Sequence, residues 1–443
     1  RRVEAVNEED ERGVGIRVLW ENGWGYASTR RRDPDSLKQA AEQALALAKA
    51  ASPLAREKIV FAEEPAHRDA FVAPIQEDPF RVDPGETVRD LVACHEIILG
   101  QPDVIKANPG LWFRKLAKSS ANTDGSEIAT TVHTAAAQME ATARAGGEVK
   151  SRCYTPAPMN QGYEHFRQAR YADHAKRIAA EAREHCLAKP CESGKKDLVL
   201  DPVHLTLTMH ESVGHPTEFD RILGYEESLA GRSHVTPEKI GKFQYGSPIV
   251  NLVADNTLEQ GLASWGYDDE GVACQKWHIV RDGILVGASV NRELAHKLGM
   301  RRANGTTRTT RYHQVPIVRM PNLYLAPGTK PLTPEELIAD TQDGIYIEGM
   351  GSFSIDQMRL NMQFGGDAFW EIKDGKKVGM LKNVTYQSTS FEFWRSCDAI
   401  CDERFFRRHG FLTCGKGDPM QLAQMNHGAS PARFRNITIR RAK

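Results

Sequence analysis

No apolar run in this chain of 443 residues approaches the roughly 18 to 20 residues that a membrane-crossing helix needs, so no membrane partner is expected. Net charge is absent as well. Lys+Arg and Asp+Glu number 58 each, which leaves no global field to draw the molecule to nucleic acid, and no nucleic-acid partner is expected. Local basic runs, Arg30-Arg31-Arg32 and the Arg-rich tail from Arg433 to Arg441, read as solvated surface. Cysteine is sparse and scattered, eight in all, which excludes a dense disulfide framework and suits a reducing, cytoplasmic setting. There is no internal repeat and no low-complexity tract. The chain opens on Arg1 without Met, which leaves room for a preceding segment, a signal peptide included. What is present is a globular composition, 40% hydrophobic and 26% charged, too long for one ordinary core, so two domains are expected.

Along the chain, Val14 to Trp20 alternates and is rich in β-formers. Asn22-Gly23 before Trp24-Gly25-Tyr26-Ala27 marks a tight hairpin. Ser36 with Gln39 forms a capping-box pattern ahead of a helix ending near Ala51, before Pro53. A second helix is expected from Glu86 to Leu99, where Val88, Leu91, Val92 and Ile98 recur at helical spacing. From Val104 to Ala143 consecutive antiparallel strands are expected, interrupted by Asn108-Pro109-Gly110 and by Thr123-Asp124-Gly125. A long helix from Tyr163 to Ala188, closed by Pro190, follows. Gly194-Lys195-Lys196-Asp197 reads as a turn between domains, with Leu198-Val199-Leu200 a short buried strand beyond it. Past residue 240, turn signals at Asp282-Gly283, Pro327-Gly328, Asp343-Gly344 and Asp374-Gly375 separate short β segments. The expected class is α+β, with an N-terminal sheet-and-helix domain (1–194) and a mostly β C-terminal domain (195–443).

Within the second domain, His210-Glu211-Ser212-Val213-Gly214-His215 is one residue longer than the His-Glu-x-x-His zinc motif. Positions five apart on a regular α-helix point about 140° from each other, so two such imidazoles miss a common metal. A π-type turn brings i and i+5 into line, and Gly214 lowers the cost of that distortion. The competing reading is an ordinary helix with two unrelated histidines. A catalytic zinc takes three protein ligands and keeps a fourth position open, so a third ligand has to come from elsewhere. Candidates are Cys397, Cys401, His409 and Cys414. Cys414 stands out, because the glycines of Thr413-Cys414-Gly415-Lys416-Gly417 leave a thiolate accessible at a turn. Those four residues together are a rival structural zinc site, although they lack a Cys-x-x-Cys spacing. Cys397 and Cys401 also read as buried thiols on one helical face.

The stretch from His210 to Glu218, His-Glu-Ser-Val-Gly-His-Pro-Thr-Glu, resembles the zinc motif of the TldD/PmbA family of metallopeptidases, and Thr413-Cys414-Gly415-Lys416 resembles that family's C-terminal ligand segment. Gly13-Val14-Gly15-Ile16-Arg17, Asp268-Asp269-Glu270-Gly271 with Asp282-Gly283, and Met320-Pro321-Asn322-Leu323 with Pro327-Gly328 look like family landmarks in order. The resemblance implies a two-domain α+β protein that dimerises, with itself or with a family member, around a chamber where unfolded or flexible peptides are cleaved. Retention of His210, Glu211, His215 and Cys414 matches the metal-bearing branch. Pro216 departs from the glycine of many relatives and is expected to end the helix abruptly.

The chemistry expected is a zinc held by His210, His215 and Cys414, with Glu211 as general base toward a water on the metal. Glu218 is either an acceptor for a ligand imidazole or a surface ion-pair partner. Tyr225, Arg232 and His234 lie near enough in sequence to be oxyanion stabilisers, and spacing singles out none. Asp268, Asp269 and Glu270 read as a turn ahead of a strand. His95, His133, His278 and His296 read as structural or exposed. Extended peptides are expected to bind by addition to a strand edge. The rival functions are hydrolysis of a non-peptide amide and a non-catalytic regulatory or binding subunit.

Overall fold

The computed structural model describes residues 6–442; Arg1 lies outside them, so the expectation built on it has no structural counterpart. The mixed α+β class is as expected, with the C-terminal half mostly β.

The opening hairpin pairs Val14–Trp20 with Gly23–Thr29, but Glu21 and Asn22 form the turn, because Trp20 pairs directly with Gly23. Gly23 and Gly25 serve the helix Pro34–Ala51 lying across the strand. A Cβ on Gly25 would run into the backbone at Ala44 and Ala48. The helix presents Ala40, Ala44 and Ala48 to it at a spacing of four, and small side chains allow that approach. Its cap is Asp33, whose carboxylate accepts the Ser36 N–H at 2.9 Å, so Ser36 is inside the first turn.

A four-stranded sheet follows. Val104–Ala121 and Glu127–Ala145 are unusually long and antiparallel, with Arg68–Val72 and Glu148–Tyr154 both on the far side of Glu127–Ala145. Asn108-Pro109-Gly110 does not interrupt it. Val104–Ala121 is an edge strand, and an edge tolerates a residue with no N–H to donate. The helices Pro84–Leu99 and Tyr171–Leu187 cover this sheet. The long helix expected from Tyr163 is broken: Glu164–Gln168 is separated from Tyr171–Leu187 by Arg170 at φ 48, and Pro190 belongs to a short strand.

Gly194–Asp197 is not a turn but the start of a strand, Gly194–Leu200, at the middle of a ten-stranded sheet. Asp343-Gly344 likewise begins the strand Asp343–Glu348, which pairs in parallel with Gly194–Leu200. Asp282-Gly283 and Asp374-Gly375 are hairpin turns, with φ positive at both residues of each, as that turn type requires. The Arg-rich tail is solvated surface only in part: Arg440 and Arg441 are exposed, Arg435 is partly so, and Arg433 is buried. Ala432–Arg441 lies inside the sheet between Gly194–Leu200 and Val384–Thr389, with Phe434 and Ile439 in the core and Arg433 buried against Asp398 and Asp340. Cys397 and Cys401 are buried thiols at and just past the strand Cys397–Ile400, in different apolar clusters, and share no helical face.

A six-stranded sheet completes the C-terminal half, in the order Ile284–Leu285, Lys276–Arg281, Leu252–Asp255, Leu323–Leu325, Gln421–Ala429, Arg407–Lys416. The helix Pro202–Met209 leaves the centre of the larger sheet and packs on the last two strands of the smaller one. The largest apolar cluster, from Cys191 to Ile439, fills the space between the sheets.

Candidate metal centre

The helix Pro202–Met209 starts firmly, with Asp201 accepting the amides of Val203 and His204 and Pro202 in the first turn. It does not end at Met209. Residues His210–Gly214 continue as a π turn, in which the His215 N–H bonds back to the His210 carbonyl. The widening expected from the motif is therefore present, and the His210 and His215 rings come to 4.8 Å, nearly perpendicular. Groups displaced by the wider turn are taken up by side chains. Tyr245 Oη donates to the Ser212 carbonyl, Thr217 Oγ1 to the Val213 carbonyl at 2.7 Å, and Trp394 Nε1 to Ser212 Oγ at 2.9 Å. Gly214 has ordinary helical torsions. Its lack of a side chain matters because a Cβ would strike the thioether of buried Met320 and press on Leu323.

Cys414 arrives from the edge strand Arg407–Lys416, where the register slips between Phe411 and Cys414. Such a bulge re-aims the side chains after it, and here Cys414 Sγ lies 3.6 Å from His215 Nε2. One ligand atom each from His210, His215 and Cys414 lies within 4.8 Å of the others. Zinc–nitrogen and zinc–sulfur bonds of about 2.0 and 2.3 Å place tetrahedral ligands about 3.3 to 3.8 Å apart. One edge of the triangle thus sits at that spacing already. Among the described residues this trio is the group that assembles; Cys397, Cys401 and His409 do not join Cys414 in a second site.

Burial pushes His215 down to about 3 and His210 well below the ordinary imidazole value, so both rings are neutral and ready to coordinate. Burial raises the Cys414 thiol to about 11, against the pull of Arg319, whose guanidinium lies 3.5 Å from the sulfur. A divalent cation would reverse that balance and take the thiolate.

The rings are held from behind. His215 Nδ1 donates to Glu218 Oε2 at 2.8 Å. Glu218 is wholly buried, so of its two expected roles the surface ion pair is excluded. Burial alone would raise its carboxyl, but the charges of Lys416 and Arg221 and the hydrogen bond from His215 overcome this and hold it well below the usual range. His210 Nδ1 meets His427 Nε2 at 2.8 Å, which leaves Nε2 as the free nitrogen of His210, and Phe411 stacks on the same ring at 4.1 Å. Nothing in the sequence singles out His427. Its position on the strand Gln421–Ala429 carries no spacing signal, and only sheet pairing brings it to the motif.

Glu211 is nearly buried, and Arg359 Nη1 donates to its Oε2 at 2.6 Å. Burial raises the Glu211 carboxyl above its ordinary value, with Arg359 opposing. The three residues between which spacing could not choose as oxyanion stabiliser are engaged as follows. Tyr225 is exposed, Arg232 pairs with Glu227, and His234 bonds to the Met358 carbonyl, bracing the loop that carries Arg359. Asp268 forms the expected turn by accepting the amides of Glu270 and Val272.

Two family models match the chain: the PmbA/TldA metallopeptidase C-terminal domain over residues 193–441, and domain 1 over residues 1–48. A metalloprotease of Methanocaldococcus jannaschii is 26% identical, over 94% of this chain and 88% of its own length. A zinc metalloprotease TldD homolog of Saccharolobus solfataricus is 27% identical, over 56% of this chain and 52% of its own. Among solved structures, TldE from Thermococcus kodakarensis superposes with a TM-score of 0.72 at 17% identity, covering 96% of this chain and 89% of that one. A Thermotoga maritima protein described as a proposed modulator of a DNA gyrase gives 0.74 at 18% identity, covering 96% and 88%. These two likenesses show a common fold.

Proposed function

Since the chain belongs to the TldD/PmbA metallopeptidase family, we propose that it is a zinc-dependent peptidase that hydrolyses unfolded or flexible peptides, with Glu211 as its general base. The observation that carries this reading is the approach of His210, His215 and Cys414 to within 4.8 Å, next to a buried carboxylate. Two neutral imidazoles and one thiol are a donor set that suits zinc, and one relative bears the name zinc metalloprotease. When bound, the metal supplies Lewis acidity and lowers the pKa of a water at the position the protein leaves open.

Glu211 would accept the proton of an attacking water and return it to the leaving amine, a task favoured by a carboxyl raised above its ordinary value. Glu218 and His427 fix the ring orientations of His215 and His210. The strand Arg407–Lys416, which carries Cys414, has one neighbour in its sheet and an open edge on the other side among the described residues. An extended peptide pairing with that edge is read by its backbone, which suits broad specificity. We place the activity in the cytoplasm, in keeping with eight free cysteines. We assign it a dimeric form, with a second copy or a related chain.

A non-catalytic subunit has no use for a base beside its ligands. The test is Glu211→Gln in the full chain, with zinc content and casein hydrolysis both measured. Zinc is expected at about one per chain in wild type and variant, and hydrolysis is expected to fall by about 10²- to 10⁴-fold in the variant. Undiminished turnover would remove Glu211 from its role.

A further inference from the structure

We propose that Arg359 is a catalytic residue that binds the scissile carbonyl oxygen and stabilises the negative charge developing on it, an inference that rests on the peptidase reading above. Four cations surround the site. Arg221, Arg319 and Lys416 are at most 1% exposed and are committed to the interior: Arg221 to Glu218 and the Ala230 carbonyl, Arg319 to Cys414 and the Gln421 carbonyl, Lys416 to Asp220 and the Val318 carbonyl. No substrate reaches them. Arg359 differs, with a side chain 15% exposed and a guanidinium in contact with Glu211.

Its placement is over-determined. The backbone of Arg359 is left-handed, at φ 57, a conformation costly for a long side chain. It is held there by the Arg359 N–H to the Asp356 carbonyl at 2.9 Å, Ser390 Oγ to the Arg359 carbonyl at 2.7 Å, and the His234 N–H to the Met358 carbonyl at 2.7 Å. Asp356 accepts the amides of Leu360 and Asn361 and closes the loop. A strained residue fixed from three sides, with its charge directed at the proposed base, is a preorganised electrostatic group.

The chemistry needs one. A thiolate ligand donates charge and leaves the metal a weaker Lewis acid than one with three neutral ligands. In the addition step the water oxygen bonds to the carbonyl carbon, the C=O π pair moves onto the carbonyl oxygen, and the water proton passes to Glu211. As the C–N bond breaks, the C=O bond re-forms and Glu211 gives the proton to the amine. Arg359 transfers nothing. It bonds Glu211 through Oε2, which leaves Oε1 for the water, so a carbonyl attacked by that water falls within hydrogen-bond reach of the guanidinium.

The experiment uses the zinc-loaded full chain, fluorescein-labelled casein, and two variants, Arg359→Lys and Arg359→Gly, the second of which keeps the left-handed turn without strain. Zinc content of Arg359→Gly is expected to match wild type, and Arg359→Lys, which keeps a cation beside Glu211, is expected to match it in melting temperature as well. The kcat of Arg359→Gly is expected to fall by about 10²- to 10³-fold, with KM within about threefold. Guanidinium ion should restore part of the kcat of Arg359→Gly and none of wild type, and Arg359→Lys should be intermediate. Affinity for a phosphinic peptide, an anionic tetrahedral mimic, should fall with kcat. Unchanged kcat, a loss confined to KM, or a loss that tracks missing zinc overturns the assignment of Arg359 while leaving the peptidase reading intact. A wild-type chain that holds zinc yet leaves casein whole overturns that reading, and the inference with it.

Discussion

At the level of single residues, the proposed site turns on the sulfur of Cys414. The sulfur is buried, and its proton is held tightly until a cation takes its place. A serine hydroxyl there gives up its proton far less readily, so Cys414→Ser is expected to emerge from desalting without zinc, where wild type retains about one per chain. Added zinc should raise the melting temperature of wild type and leave the variant unmoved, because only a species bound by the native state shifts unfolding. A Cys414→Ser chain that keeps its zinc would show that the third ligand lies elsewhere. His210, Glu211 and His215 were legible as candidates because the motif spacing is short, and Cys414, 199 residues from His215, because it is a ligand type between glycines in a segment that resembles a known ligand segment. Arg359 and His427 were not, since they belong to no local pattern and no resemblance points to them.

At the scale of the element, the π turn His210–Gly214 and the bulge before Cys414 do the converging, and both depend on tight packing around them. Gly214→Ala tests this. A methyl at Gly214 meets Met320, which is itself buried, so the substitution is expected to destabilise the fold by about 1–3 kcal/mol and to weaken zinc binding as the turn shifts. If collision with Met320 is the cause, Gly214→Ala combined with Met320→Ala should cost less than the sum of the two single changes in chemical denaturation. Strict additivity would argue against it. The need for a π turn could be worked out from helix geometry alone. The bulge could not, because nothing in Phe411-Leu412-Thr413-Cys414 forces a strand to slip its register.

Across the whole molecule, one buried guanidinium ties the two halves of the chain together. Arg152, on a strand of the N-terminal sheet, pairs with Glu181 at 2.9 Å, with Glu348 at 2.5 Å, and with Asp367. Glu181 lies on the covering helix, while Glu348 and Asp367 belong to the ten-stranded sheet region. Arg152→Ala leaves three carboxylates around an empty space, and the expected loss is about 3–5 kcal/mol in urea denaturation, as for breaking other buried ion pairs. A loss under about 1 kcal/mol would place the join between the halves elsewhere.

Composition, periodicity and a six-residue motif were enough to fix the α+β class, the β-rich character of the C-terminal half, and the need for a widened turn, because these follow from local sterics and from the short list of residues that bind metal. Where strands pair, which glycines make room for a neighbour, and which distant cations and imidazoles support the site were settled only by the tertiary structure. The Arg-rich tail shows why: its end, Arg440 and Arg441, is charge on a surface as the sequence suggests, yet Arg433 is buried beside Phe434 and pairs with Asp340 and Asp398, partners that only the folded sheet brings to it.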